Sequence, residues 1–178
     1  MRFSENRPVA YVVLALAVAL SLVFGGGGAL KDKRADVDQL YQASSYSISA
    51  ELHEMRDNAV TILSIAKKYD EADASYIADL DSAVSALESA DGAAAEYAAS
   101  LQLDSAIEHV YSDLTGISLS DMDAEDARYK YKNFTSAQLR ISHDPYNELA
   151  ADFNSQLSAF PANLLGLLRG IKPLELFQ

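Results

Sequence analysis

The sequence predicts an all-α protein: an N-terminal transmembrane helix followed by an antiparallel up-and-down four-helix bundle. Three observations predict it. An uncharged run of 23 positions, Pro8–Leu30, lies near the start; at about 1.5 Å of rise per residue it could cross a hydrocarbon core of roughly 30 Å. Beyond it, apolar residues recur at three- and four-residue steps, the signature of helices with one buried face, and β-branched alternation is nowhere sustained. Short clusters of Asp, Ser and Gly then cut the periodic stretch into bundle-length segments. With 178 residues, 49% of them apolar, and four prolines, one soluble domain fits beside the leading segment. The absence of cysteine excludes disulfide scaffolds, Cys-ligated zinc and thiol nucleophiles. A net charge of −12 argues against nucleic acid, which needs a basic face to replace counterions.

The leading segment is most apolar over Val9–Phe24, with Arg2 and Arg7 before it and Lys31, Lys33 and Arg34 after it. The order charged, apolar, small suits two readings. One is a retained anchor that contacts the lipid bilayer through residues 8–30. The other is a cleaved signal peptide, with Gly27-x-Ala29 as its cleavage site. The charged stretch that continues after the four glycines favours the anchor. Basic residues on the two sides are too evenly matched to orient it.

Residues 31–161 read as the bundle. Val37, Tyr41, Ser44, Ile48, Leu52, Met55, Ala59, Ile62, Ala66 and Tyr69 form one stripe, predicting a single first helix of some nine turns. Asp70–Asp73 breaks it, and Ser75 is the expected cap of a second helix carrying Ile77, Leu80, Val84 and Leu87. Asp91-Gly92 separates this from a third helix with Tyr97, Leu101, Leu103, Ile107, Val110 and Leu114, which Gly116 is expected to close. If Asp91-Gly92 were absorbed into a longer helix, the bundle would have three helices. Ser120-x-x-Asp123 resembles a capping box at the start of the fourth. Its stripe is Tyr131, Phe134 and Ile141, then Tyr146, Leu149, Phe153, Leu157 and Phe160, with a kink or restart expected at Pro145 and Asp144 as cap.

No catalytic or metal constellation emerges, and no cofactor is implied. His53, His109 and His143 fall on different helices and read as partly exposed. No Glu is followed by His three residues later, as a bundle di-iron site would need. Asp121, Asp123, Glu125 and Asp126 lack the central Gly and closing Glu of a calcium loop and instead suit the positive end of a helix dipole. Gly25–Gly28 lacks the Lys of a phosphate loop, no serine sits in a nucleophile elbow, and the Asn133-Phe134-Thr135 sequon falls on a predicted helix. Tyr69, Tyr111 and Tyr146 lie on apolar stripes, where the ring packs and the hydroxyl reaches a polar rim.

Residues 162–178 form an apolar tail, expected to pack on the bundle, on a partner, or in a membrane interface. Just before it, Tyr146-Asn147, Phe153-Asn154 and Phe160-Pro161 recur every seven residues. The aromatics should share one helix face; Asn147 and Asn154, one position round, either fix register by demanding a partner or face water.

This pattern, continued by Asn163-Leu164, Gly170-x-Lys172-Pro173 and Phe177, resembles the ending of LemA family proteins. Tyr111-Ser112-Asp113-Leu114 is similar to that family's Tyr-Pro-x-Leu segment with Ser in place of Pro, and Arg56-Asp57-Asn58 is loosely similar to its first-helix motif. Pro145 departs from it. The resemblance implies an amino-terminal membrane segment and an antiparallel four-helix bundle, and no catalytic residues to carry over. The motif residues Tyr146, Asn147, Phe153, Asn154, Phe160, Pro161, Asn163, Gly170, Lys172, Pro173 and Phe177 are therefore expected to be structural or interaction residues. The expected function is non-enzymatic: a membrane-anchored interaction or scaffolding module at the bacterial envelope, with an unidentified protein partner or a second copy of itself. A ligand-sensing bundle and a secreted bundle after signal cleavage are the alternatives.

Overall fold

The computed structural model describes residues 7–21, 25–42 and 47–178. Among the described residues eight helices follow one another: α1 (Arg7–Ser21), α2 (Gly27–Gln42), α3 (Ile48–Ala66), α4 (Ala74–Ser89), α5 (Ala93–Gly116), α6 (Asp121–Ser142), α7 (Tyr146–Ser158) and α8 (Ala162–Arg169). No strand occurs among the described residues, so the chain is all-α. It divides into two compact units, one of Met1–Asp38 with Glu148–Leu174, the other of Gln39–Asn147 with Glu175–Gln178.

In the second unit α3 packs against α4, α5 and α6, and α5 against α4 and α6. The predicted stripes supply its core. Ile48, Leu52, Met55, Ala59, Ile62 and Ala66 of α3 are buried, as are Leu80, Val84 and Leu87 of α4, Leu103, Ile107, Val110 and Leu114 of α5, and Phe134 of α6; Ala137, outside the expected stripe, is buried too, whereas Tyr131 and Ile141 are half-buried. At roughly 25 cal/mol per Å² of apolar surface removed from water, these stripes are the main term opposing chain entropy. Leu101 of α5, assigned to a stripe by its spacing, is half exposed.

Several boundaries differ from the sequence reading. The expected nine-turn first helix is two helices. Ser47 has extended dihedrals (φ −72°, ψ 157°) and its hydroxyl accepts the Ala50 N–H, capping α3. Serine prefers this arrangement to a helix interior because its side chain competes for backbone donors. Ser44 lies outside the described residues. The cap of α4 is Asp73, not Ser75; Asp73 Oδ1 accepts both the N–H and the hydroxyl of Ser75 at 2.7 and 2.5 Å. Gly116 is the last helical residue of α5, followed by extended Ile117, and is not a left-handed terminator. The expected break at Asp91-Gly92 is present, and so is the capping of α6 by Ser120, whose Oγ accepts the Asp123 N–H at 3.2 Å. α7 restarts after Pro145, with Asp144 Oδ1 accepting the Tyr146 N–H at 2.8 Å.

Gly92, before α5, has φ +92° and ψ 156°, a region essentially closed to side-chain-bearing residues. A Cβ there would also lie 2.5 Å from Glu175 Oε2. Gly92→Ala is therefore expected to cost about 1–2 kcal/mol in urea unfolding; a loss indistinguishable from zero would show that the turn relaxes freely.

In the first unit, α2 is tied to α7 by Lys33, which donates to Gln156 Oε1 at 2.7 Å and approaches Asp152 at 3.5 Å. Arg34 Nε donates to the Lys172 carbonyl at 2.9 Å. The glycine run has a packing role: a Cβ on Gly26 would lie 2.9 Å from Leu165 Cδ1, and one on Gly27 would lie 2.8 Å from Arg169 Cγ. α8 therefore rests directly on this backbone. It ends in a Schellman turn, with left-handed Gly170 donating to Leu167 O and Ile171 donating to Gly166 O.

Among the described residues no helix is long and apolar enough to cross a membrane. α1 has 15 residues, about 22 Å of rise. Residues 22–24 of the expected span lie outside the described residues, and its last four residues, Gly27–Leu30, open α2.

Candidate functional site

The heptad asparagines bind the extended residues that follow α8. In the second unit Asn147 takes both backbone groups of Phe177: its amide nitrogen donates to Phe177 O at 2.6 Å, and its Oδ1 accepts the Phe177 N–H at 2.7 Å. In the first unit Asn154 does the same with Leu174, both bonds being 2.8 Å. Each side chain pairs as the peptide group of a neighbouring strand would. Asn147 and Asn154 therefore do not simply face water, and the partner of each is extended backbone after α8, not another helix. The Tyr146 hydroxyl adds a bond to Glu175 O at 2.6 Å.

Aromatic rings close around Phe177. The Tyr97 ring meets it edge-on at 5.1 Å, and the Tyr41 ring lies 6.3 Å from it and 4.9 Å from Tyr146. Such pairs add to burial through ring quadrupoles. The Tyr41 hydroxyl donates to Glu96. Burial first, then this carboxylate, pushes its ionisation above the ordinary phenol range.

The other motif residues are dispersed. Phe153 is fully buried, whereas Phe160 is 82% exposed, which corrects the expectation that three aromatics share one face. α7 ends at Ser158, so the periodicity stops one step before Phe160. Pro161, after a cis peptide bond, precedes α8. The Asn163 side chain accepts the Leu164 N–H at 2.7 Å. Gly170 forms the left-handed turn, Lys172 contributes its carbonyl to Arg34, and Pro173 is exposed. Leu149, placed on the stripe by spacing, is over a third exposed.

Beside Phe177 the second unit has a cleft of about 360 Å³, lined by Met55, Tyr97, Asp104, Gln138 and Asn147 among others. Asp104 Oδ2 accepts from Gln138 at 2.7 Å, but Oδ1 is buried without a hydrogen-bond partner. Burial pushes this carboxyl up to about 6 against the opposing pull of Gln138. It can exchange a proton near neutrality or hold a cation. The sequence reading missed it because a single helical Asp reads as solvated surface.

That reading also missed Glu51, which is 3% exposed and held by Arg140 through two parallel bonds, Nε to Oε1 at 2.7 Å and Nη2 to Oε2 at 2.6 Å. Arg140 Nη2 also reaches Glu54 at 2.8 Å. At the other end of α3, Asp123 gathers Lys68, the Tyr69 hydroxyl and the Ser120 hydroxyl, which hold its carboxyl below the usual carboxylate range, Lys68 most. Of the three stripe tyrosines, Tyr146 is buried with its hydroxyl bonded, Tyr69 is half-buried beyond the end of α3 with its hydroxyl bonded to Asp123, and half-buried Tyr111 stacks on Tyr131 at 3.9 Å. His53, His109 and His143 are exposed, and no group of acidic and imidazole side chains able to hold a metal occurs among the described residues.

The raised Asp104 has a consequence for stability. Because its folded value lies above the ordinary 3.8, the folded state holds this proton more tightly, so stability falls as pH rises from about 4 to about 6. Asp104→Asn should remove that slope and stabilise the protein by about 1 kcal/mol near neutrality, a value discounted for partial solvent access. Urea titrations across this range check it; a parallel decline in both proteins would assign the slope to another group.

No protein-family model, curated protein or solved structure matches the chain.

Proposed function

We propose that this chain is a single-pass, membrane-anchored, LemA-like helical protein of the bacterial envelope, with an antiparallel up-and-down four-helix bundle that works through protein contacts and not catalysis. The observation that carries the membrane reading is the surface of α1. Tyr11, Val12, Val13, Leu14, Leu16 and Val18 are each more than half exposed. These positions lie all round the helix, so no single docking face on the protein accounts for them, and an apolar exterior of this extent calls for a lipid or protein cover. The packing of α8 on Gly26 and Gly27 supports retention of the segment, because cleavage after Ala29 would remove backbone on which Leu165 and Arg169 rest. The C-terminal motif supports the LemA-like reading, since its asparagines serve the fold. Carbonate extraction of membranes containing the full-length chain tests the anchor: the chain should stay in the pellet, and its release into the soluble fraction would remove this reading.

The Asp104 cleft favours ligand sensing as a second reading. It expects a small organic cation to raise the melting temperature of the parent and not of Asp104→Asn.

A further inference from the structure

We infer that α8 is a second membrane contact, lying in the headgroup region of an anionic bilayer beside the point where the anchor leaves it. The inference rests on the anchor reading and adds a surface to it. α8 buries Leu165 and Gly166, while Leu164, Leu167 and Leu168 are 51%, 80% and 59% exposed. Positions 164, 167 and 168 stand at i, i+3 and i+4 and share one face. Phe160, just ahead of the helix, is also exposed. These side chains form an apolar surface with no cover within the described residues.

Two observations choose the bilayer as its occupant. The first is location. α8 sits on Gly26 and Gly27, two and three positions after the end of the apolar run Val9–Phe24. A helix packed on the end of a membrane segment is held at the depth where that segment emerges. The second is charge. Residues 1–38 and 148–174 hold seven Lys and Arg against six Asp and Glu, whereas residues 39–147 and 175–178 hold seven against twenty. The net negative charge of the chain thus lies in the other unit, and the one that carries α1 and α8 is close to neutral. Lys31, Lys33, Arg34, Arg169 and Lys172 all belong to that unit. An anionic leaflet attracts cations within a Debye length and repels carboxylates. Apolar side chains facing the acyl boundary with cations beside them are the composition of an interfacial helix.

The natural absence of cysteine allows a clean test. Full-length Leu167→Cys carries an environment-sensitive nitrobenzoxadiazole dye and is reconstituted into phosphatidylcholine–phosphatidylglycerol vesicles. Ser155→Cys, on an exposed position of α7, is the reference. The expected result is a blue-shifted, brighter dye at 167 than at 155, quenched by nitroxide-bearing lipid and unchanged when protein is diluted at constant lipid. Water-like emission at 167 in protein that floats with the vesicles would overturn the α8 contact and leave the anchor standing. A blue shift that disappears on dilution would assign the surface to a second copy of the chain and also overturn it. Protein that fails to float would overturn the anchor, and the α8 contact with it.

Discussion

Replacing Asn147 and Asn154 together with alanine is expected to lower the unfolding free energy by about 4 kcal/mol, at roughly 1 kcal/mol for each of the four lost hydrogen bonds. The four bonds are two to Phe177 and two to Leu174. Leu174 and Phe177 are buried, so their peptide groups, once abandoned, do not simply return to water. Leaving such groups unsatisfied is what raises the cost above that of an exposed bond. Amide exchange supplies the specific readout: the N–H groups of Leu174 and Phe177 should lose protection first, while those in the middle of α3 and α5 keep theirs. Each single variant should show about half the loss and deprotect mainly its own partner. Asn147→Asp keeps the acceptor and loses the donor, and should fall between parent and alanine. If the double variant loses less than about 1 kcal/mol and its exchange pattern is unchanged, apolar burial of Leu174 and Phe177 alone holds this segment, and the asparagines are incidental.

The asparagines also show where the sequence was legible and where it was not. Their seven-residue spacing was plain, but its meaning lay in a segment with no periodicity. Seven helical residues rise about 10.5 Å, and three extended residues, the separation of Leu174 from Phe177, span about 10 Å. The heptad on α7 is commensurate with an antiparallel extended chain, not with another helix, and helical pattern reading does not look for that partner. The core stripes of α3 to α6 were legible because burial follows the helical period and little else. The caps of α4, α6 and α7 were legible to within two residues; at α4, Ser75 and Asp73 are both good caps and only the fold decides between them. The break at Ser47 was hidden because an apolar stripe can pass through a cap without losing phase: Tyr41 and Ile48 are both buried, seven residues apart. Asp104 and Glu51 were illegible for another reason. A lone carboxylate on a helix is usually solvated, and its burial depends on what a distant helix places over it.

Glu51 supports the second large prediction. Arg140→Met is expected to cost about 3 kcal/mol, because it leaves a nearly fully buried carboxylate without its counter-ion. The lower end of the usual range applies because the arginine side chain is itself 40% exposed, so water can enter the vacated space. Arg140→Lys should recover only part of the loss. It restores the charge but not the planar fork that meets both oxygens of Glu51 at 2.7 and 2.6 Å. The decisive comparison is the double replacement Glu51→Leu with Arg140→Met, which removes both charges and fills the volume with apolar atoms. It should lie well above Arg140→Met alone and close to the parent, since an ion pair and a packed apolar pair are often nearly equal in stability. The losses should also change little with added salt, unlike those at the exposed Lys67–Asp81 pair, because ions screen a buried carboxylate poorly. An Arg140→Met protein as stable as the parent would mean that water entering the vacated space serves Glu51 as well as the arginine does. In that case the bidentate contact between α3 and α6 would determine their register without contributing to their stability.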